Sequence, residues 1–151
     1  MLAEDFIDLK KLGAIVTKTI TVKARNGNLP PRTCETPAGL LNSIGLENPG
    51  LDNFIRDKMP FLKKLGVPLV VSIAAEEDSE EFFTLAEKLS GINAVSAIEL
   101  NISCPNMRKD KLIAQDPKDT FALVNAVRRL THKCLITKLS PNVASVSEIA
   151  L

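Results

Sequence analysis

Apolar residues along this chain gather into four short, β-branched runs, at residues 14–19, 67–73, 97–102 and 134–139, and the segments between them place apolar residues three or four positions apart. Within each run apolar side chains fall on both faces, the pattern of a strand covered on both sides in a parallel sheet. After the first run, Pro49-Gly50 opens a helical pattern through Leu51, Phe54, Ile55, Met59 and Leu62, interrupted by Pro60. Asp78 and Glu81 have capping-box spacing ahead of Phe82, Phe83, Leu85, Ala86 and Leu89, and Gly91 supplies the stop. Asp116-Pro117 supplies an N-cap with proline at the first helical position, before Phe121, Leu123, Val124, Val127 and Leu130. Ser145 and Glu148 repeat the capping-box spacing close to Leu151, and residues 6–12 read as one more helix.

Helix, then strand and helix three times, then a fourth strand is the alternation of an α/β protein with a parallel sheet and right-handed crossovers. The expected fold is a parallel (β/α)8 TIM barrel. A complete barrel needs about 250 residues, so a chain of 151 residues reads as one partial domain, residues 1–151, a slice of such a barrel. An open slice leaves strand edges and apolar side chains uncovered, which favours association or partial disorder, and a homo-oligomer is expected. Residues 25–39, with Gly27, Pro30, Pro31, Pro37 and Gly39, read as an ordered excursion after the first strand, too short to separate two domains.

Composition narrows the function classes without naming one. Nineteen basic against eighteen acidic residues give a net charge of +1, so there is no electrostatic case for nucleic acid or an anionic membrane. Trp and Tyr are absent, which removes the best residues for stacking on bases. The cysteines at 34, 104 and 134 are too far apart for a zinc cluster and odd in number for a disulfide framework. The acidic start lacks the basic region of a signal peptide, and no segment approaches 18 apolar residues, so a reducing cytoplasmic setting is expected.

Chemistry concentrates just after the apolar runs. Lys18-Thr19 follows the first, residues 41–50 lie beyond the excursion, Asn101-Ile102-Ser103-Cys104-Pro105-Asn106 follows the third, and Lys138-Leu139-Ser140-Pro141-Asn142 the fourth. In a parallel α/β protein the carboxyl ends of the strands carry the site, so these groups are expected to converge on one face. Lysines, carboxamides and one thiol suit a small, planar, anionic ligand with amide edges, with Cys104 able to move a proton. Each residue type also has a structural alternative: Cys104 as a buried core thiol, Asn48 and Asn142 as turn residues, Lys18 and Lys138 as solvated or ion-paired strand ends. His132 reads as a dipole partner at a helix end, and Cys34 and Cys134 as incidental.

Residues 13–21, Leu41-Asn42-Ser43-Ile44-Gly45-Leu46-Glu47-Asn48-Pro49-Gly50, residues 101–106 and residues 138–142 resemble, in order and over nearly the whole chain, class 1 dihydroorotate dehydrogenase. The 41–50 segment is more similar to the class 1B catalytic subunit than to class 1A. The resemblance implies an FMN-dependent barrel that oxidises dihydroorotate to orotate in pyrimidine synthesis, of which the chain covers about strands 2–5. The family's first strand would then precede Met1, and three strands with the main phosphate grip would follow Leu151.

Residue by residue, Cys104 matches the general base that takes a proton from carbon 5 while hydride leaves carbon 6 for the flavin. Asn42, Asn101 and Asn106 match residues that hold the pyrimidine, and Gly45 and Leu46 the segment at its carboxylate. Lys18 matches a lysine at both substrate and flavin, and Lys138 and Asn101 also match flavin contacts, with Thr19 a weaker one. A thiol titrates ordinarily near pH 8.5, and the positive charge of Lys18 is expected to lower that of Cys104. A 1B parent would pair with an electron-transfer subunit carrying FAD and a [2Fe-2S] cluster and pass electrons to NAD. The rivals are a non-catalytic flavin- or pyrimidine-binding half barrel and a dihydropyrimidine dehydrogenase-like domain.

Overall fold

The computed structural model describes residues 7–103 and 112–151. Four parallel strands, β1 (Ile15–Val16), β4 (Leu69–Ile73), β5 (Ala97–Asn101) and β6 (Cys134–Lys138), form one sheet in the order β1-β4-β5-β6. Consecutive strands of this sheet are neighbours and helical segments connect them, as the alternation of periods predicts. The arrangement is a four-stranded parallel α/β sheet consistent with part of a TIM barrel.

Side-chain alternation divides the sheet into two faces. Val71, Ile73, Ile98, Leu100 and Ile102 are buried on one face against Phe82, Leu85 and Leu89 of helix Glu80–Ser90 and Leu123 and Val127 of helix Pro117–Leu130. Val70, Ser72, Ala74, Ala97, Glu99 and Asn101 take the other parity, and there polar groups enter. The helical segment over residues 51–65 covers β1 and β4 with Phe54 and Met59. It is not a regular α-helix: the Met59 N–H bonds the Phe54 carbonyl, five residues back, in a π turn over Phe54–Lys58. Pro60 explains it, because its ring lacks an N–H and clashes with the carbonyl four residues back, so the preceding turn widens. Gly66, at φ 69°, ends the segment in the left-handed region.

Three local expectations change. The first run is not a continuous strand over residues 14–19. The Thr17 N–H bonds Val70 O, but the next rung is made by Ile20 N–H to Ser72 O, so three residues on β1's side span two on β4. This bulge reverses the face alternation, sending Ile20 into the core opposite Ile73 and turning Thr19 to the face of Ser72. The box of Asp78 and Glu81 does not close either. The helix begins at Glu80, and Glu81, one position short of the reciprocal site, reaches back to the Glu76 N–H instead. At the start, the helix read over residues 6–12 is, among the described residues, one 3₁₀ turn, Leu9–Lys11, capped by Asp8.

The excursion contains a feature that periodicity did not announce: an antiparallel hairpin of β2 (Thr33–Thr36) and β3 (Gly39–Asn42), with Thr33 opposite Asn42. The Asp116 cap is as read, and of the box of Ser145 and Glu148 only the half made by the serine forms. Asp116 accepts from the Lys118 and Asp119 N–H groups, and Ser145 from that of Glu148.

Candidate active site

One chain of hydrogen bonds crosses the sheet from the segment that follows β1 to β6, on the face opposite the helices. The Asn101 amide donates through Nδ2 to Thr19 Oγ1 at 3.1 Å, the Thr19 and Ser72 hydroxyls lie 2.9 Å apart, and Ser72 Oγ donates to Glu99 Oε1 at 2.7 Å. Since Ser72 spends its one proton on the carboxylate, Thr19 must donate to Ser72, and the direction runs from Asn101 through Thr19 and Ser72 to Glu99. Lys138 Nζ approaches the same carboxylate oxygen at 3.0 Å. Bonds that all point one way polarise one another and end on a charge.

Each member is placed by its strand. Asn101 lies opposite Lys138 in the register of β5 and β6, and Glu99 sits one pleat below Asn101 on the same face. Thr19 reaches the chain only because the bulge turns it inward. Asn101 and Thr19 are buried, and Ser103 donates to Asn101 Oδ1 at 3.2 Å. The carboxamide is therefore held from both ends, which fixes which way its oxygen and nitrogen face.

Beside this chain, the loop over residues 44–50 is held by residues far from it in sequence. Arg25 donates through Nε to Gly45 O at 3.3 Å and pairs with Glu76 at 2.6 Å. Asn48 donates through Nδ2 to Leu46 O at 2.9 Å, and its Oδ1 accepts from the Thr21 and Gly50 N–H groups. In a trans peptide the N–H points away from the preceding carbonyl, so the N–H groups of Leu46 and Glu47 face away from Arg25 and Asn48. Neither makes a hydrogen bond to another described residue. Leu46 packs on Ala74, two residues beyond Ser72 on the polar face of β4. Gly45 and Leu46 both have positive φ, 75° and 58°.

A Cβ at Gly45 would lie 2.7 Å from the Asn28 backbone nitrogen. Gly45→Ala is therefore expected to cost about 2 kcal/mol, from left-handed strain and displacement of the loop, read as a lower denaturant midpoint at unchanged m-value.

The expected convergence is thus partly realised. Thr19, Asn101 and Lys138 join in one network, and Gly45 and Leu46 lie next to it. Lys18 stands at the bulge, exposed, on the wall of an apolar cleft with Ile15, Ile20, Phe54 and Phe61. It makes no hydrogen bond or ion pair among the described residues. Asn42 is exposed on the hairpin, in a shallow groove with Arg32, Thr33 and Leu41. Cys104 and Asn106 lie outside the described residues. His132, Cys34 and Cys134 are exposed, the two thiols free, and Asn48 is the turn residue its Asn-Pro pair suggested. Sequence reasoning passed over Ser72 and Glu99. Glu99 left one signal, being the sole acidic residue within the four apolar runs. Among the described residues no helix is long and apolar enough to cross a membrane.

Fold and site define an α/β protein of the βα-repeat class whose polar groups gather near the carboxyl ends of a parallel sheet. Comparison with known proteins narrows this. The family model described as dihydroorotate dehydrogenase matches residues 1–151, and the chain belongs to that family. It is 45% identical over 147 residues to the "Dihydroorotate dehydrogenase B (NAD(+)), catalytic subunit" of Geotalea uraniireducens, covering 97% of this chain and 48% of that protein. The proteins of the same name from Desulforudis audaxviator and Geobacter sulfurreducens are 46% and 43% identical over the same shares. The chain spans about half the length of the curated relatives it matches.

Proposed function

We propose that these 151 residues are the base-bearing part of an FMN-dependent dihydroorotate dehydrogenase of the B type, covering about strands 2–5 of its barrel within a single partial domain. The observation that carries the reading is the oriented chain from Asn101 to Glu99, with Lys138 at its end, built in a chain of this family.

The donor set fits a flavin ring. A fixed carboxamide, a hydroxyl and an ammonium at adjacent strand ends complement the nitrogen and oxygen edge of a planar ring that gains negative charge. In barrels of this kind the phosphate grip follows strands 7 and 8, beyond the coverage proposed. Asn101, Thr19, Lys138 and Lys18 are the residues assigned to FMN. When bound, FMN supplies the hydride acceptor.

The chain's own residues do the rest. Asn42, Asn101 and Asn106 orient the pyrimidine, and the outward N–H groups of Leu46 and Glu47 suit its carboxylate. Lys18 adds a cation to both substrate and cofactor. Cys104 removes the proton from carbon 5, and Ser103, its neighbour, is tied to the substrate-facing Asn101. The names of the relatives, catalytic subunits of an NAD(+) enzyme, support a partner electron-transfer subunit; the FAD and [2Fe-2S] cluster of that partner, a homo-oligomeric core and a cytoplasmic setting complete the proposal.

The visible absorption spectrum of the purified protein, followed by anaerobic addition of dihydroorotate, tests this reading. A flavin spectrum that bleaches with dihydroorotate, and not with NADPH and uracil, is expected of the protein expressed from its intact reading frame. Bleaching with NADPH and uracil alone would transfer the site to the dihydropyrimidine reaction. Bound flavin or orotate without reduction would favour a binding module.

A further inference from the structure

Resting on the assignment of Lys138 to the flavin, we infer that Glu99 is a positioning residue, which holds the Lys138 ammonium and orients the hydroxyl chain to Asn101 through one carboxylate oxygen. Glu99 and Lys138 are the charged residues within the strands of the parallel sheet. The Glu99 side chain is only 13% exposed, against 45% for Lys138. A carboxylate that far from water is costly unless it is paired and hydrogen-bonded. Its Oε1 has both kinds of partner, Lys138 Nζ at 3.0 Å and Ser72 Oγ at 2.7 Å.

Register shows what the pairing does to the lysine. Lys138 stands opposite Asn101, and Glu99 opposite Ile136. The Lys138 stem must therefore turn back by one pleat to reach Glu99, and this holds the ammonium inside the mouth of the sheet. Without the carboxylate a four-carbon stem at a half-exposed strand end samples many rotamers. The same oxygen receives the Ser72 proton, and that bond decides which way the Thr19 hydroxyl points and hence which Asn101 atom meets it. One side chain thus sets two of the groups assigned to FMN. A replacement at Glu99 that spares the fold should disturb both.

A double-mutant cycle in the protein expressed from its intact reading frame separates this from other roles. The measurements are the FMN dissociation constant, from quenching of flavin fluorescence, and the midpoint potential of the bound flavin. Lys138→Gln and Glu99→Gln are each expected to weaken FMN binding about tenfold, and the double variant to fall well short of the product of the two, because the part of the Glu99 effect that passes through Lys138 is already lost. The potential should follow the same pattern, Glu99→Gln having a smaller effect once Lys138 is replaced. Glu99→Asp, which keeps the charge and shortens the reach, should fall between wild type and Glu99→Gln. Effects that multiply in the double variant would overturn the inference, because Glu99 would then act by its own field or on the fold. So would a Glu99→Gln protein with unchanged affinity and potential. If Lys138→Gln changes neither quantity, the flavin assignment of Lys138 fails and takes the inference with it, a result distinct from the other two. If Glu99→Gln does not fold, Glu99→Asp carries the same cycle against Lys138→Gln.

Discussion

Replacing Cys104 with serine is expected to slow dihydroorotate-dependent flavin reduction at pH 7 by about 10²- to 10⁴-fold, the usual worth of a positioned general base. The comparison turns on acidity. An ordinary thiol titrates near pH 8.5 and is a few per cent thiolate at neutrality, whereas a serine hydroxyl is not measurably ionised there. In the proposed reaction the deprotonated form is the base, so the wild-type rate should rise with pH and level off at high pH. The serine variant should keep rising, with no plateau in that range. Anaerobic stopped-flow recording of flavin bleaching from pH 6 to 10 reads both. An unchanged rate at pH 7 would remove the thiol from the chemistry and leave Cys104 as a structural residue.

The second large effect is on stability. Asn48→Ala is expected to cost about 3 to 5 kcal/mol, since it strands several buried backbone groups at once. Asn48 is 6% exposed. Its Oδ1 accepts from the Thr21 and Gly50 N–H groups at 3.1 and 2.9 Å, and its Nδ2 donates to Leu46 O at 2.9 Å and Thr21 Oγ1 at 3.0 Å. The Thr21 hydroxyl proton goes to Lys23 O at 2.6 Å, so it accepts from Asn48. No other residue type offers a planar donor and acceptor of that length. Asn48→Asp should recover part of the loss, keeping the two N–H contacts and forfeiting the donor. Urea unfolding of wild type and both variants gives the order, and a loss below 1 kcal/mol for alanine would mean that water replaces the side chain.

What could be read in advance follows from what burial does to a sequence. The strands β4 and β5 were legible because both their faces are buried and mostly apolar, β6 because its run is apolar although one of its faces is exposed rather than covered as expected, and the helix 117–130 because Asp116 and Pro117 mark its start. The hairpin of β2 and β3 was not, because all eight of its residues are exposed and an uncovered ribbon imposes no alternation. The bulge was hidden for a different reason. One extra residue between Thr17 and Ile20 changes the register against β4, a property of the pair of strands that neither run carries by itself. Lys18 was accordingly grouped with Lys138, yet it stands on the cleft wall while Thr19 takes the inward place. Glu99 was passed over because a single acid in Ala97-Ile98-Glu99-Leu100 reads as a blemish in an apolar run. Its meaning depends on Ser72 and Lys138, which lie 27 and 39 residues away.

Those separations bear on how the protein comes to have a site at all. The link from Thr19 to Asn101 spans 82 residues and that from Thr19 to Ser72 spans 53, so the polar chain cannot form within any one βα unit. Local helices and their packing can develop early, but closing such long loops brings its reward only after the strands have met. A slip of one residue in any pairing would turn a hydroxyl or a carboxylate toward the helices and leave the others without partners. The site is thus a late product of assembly and a record of it: a molecule in which Asn101 meets Thr19 has already aligned β1, β4 and β5.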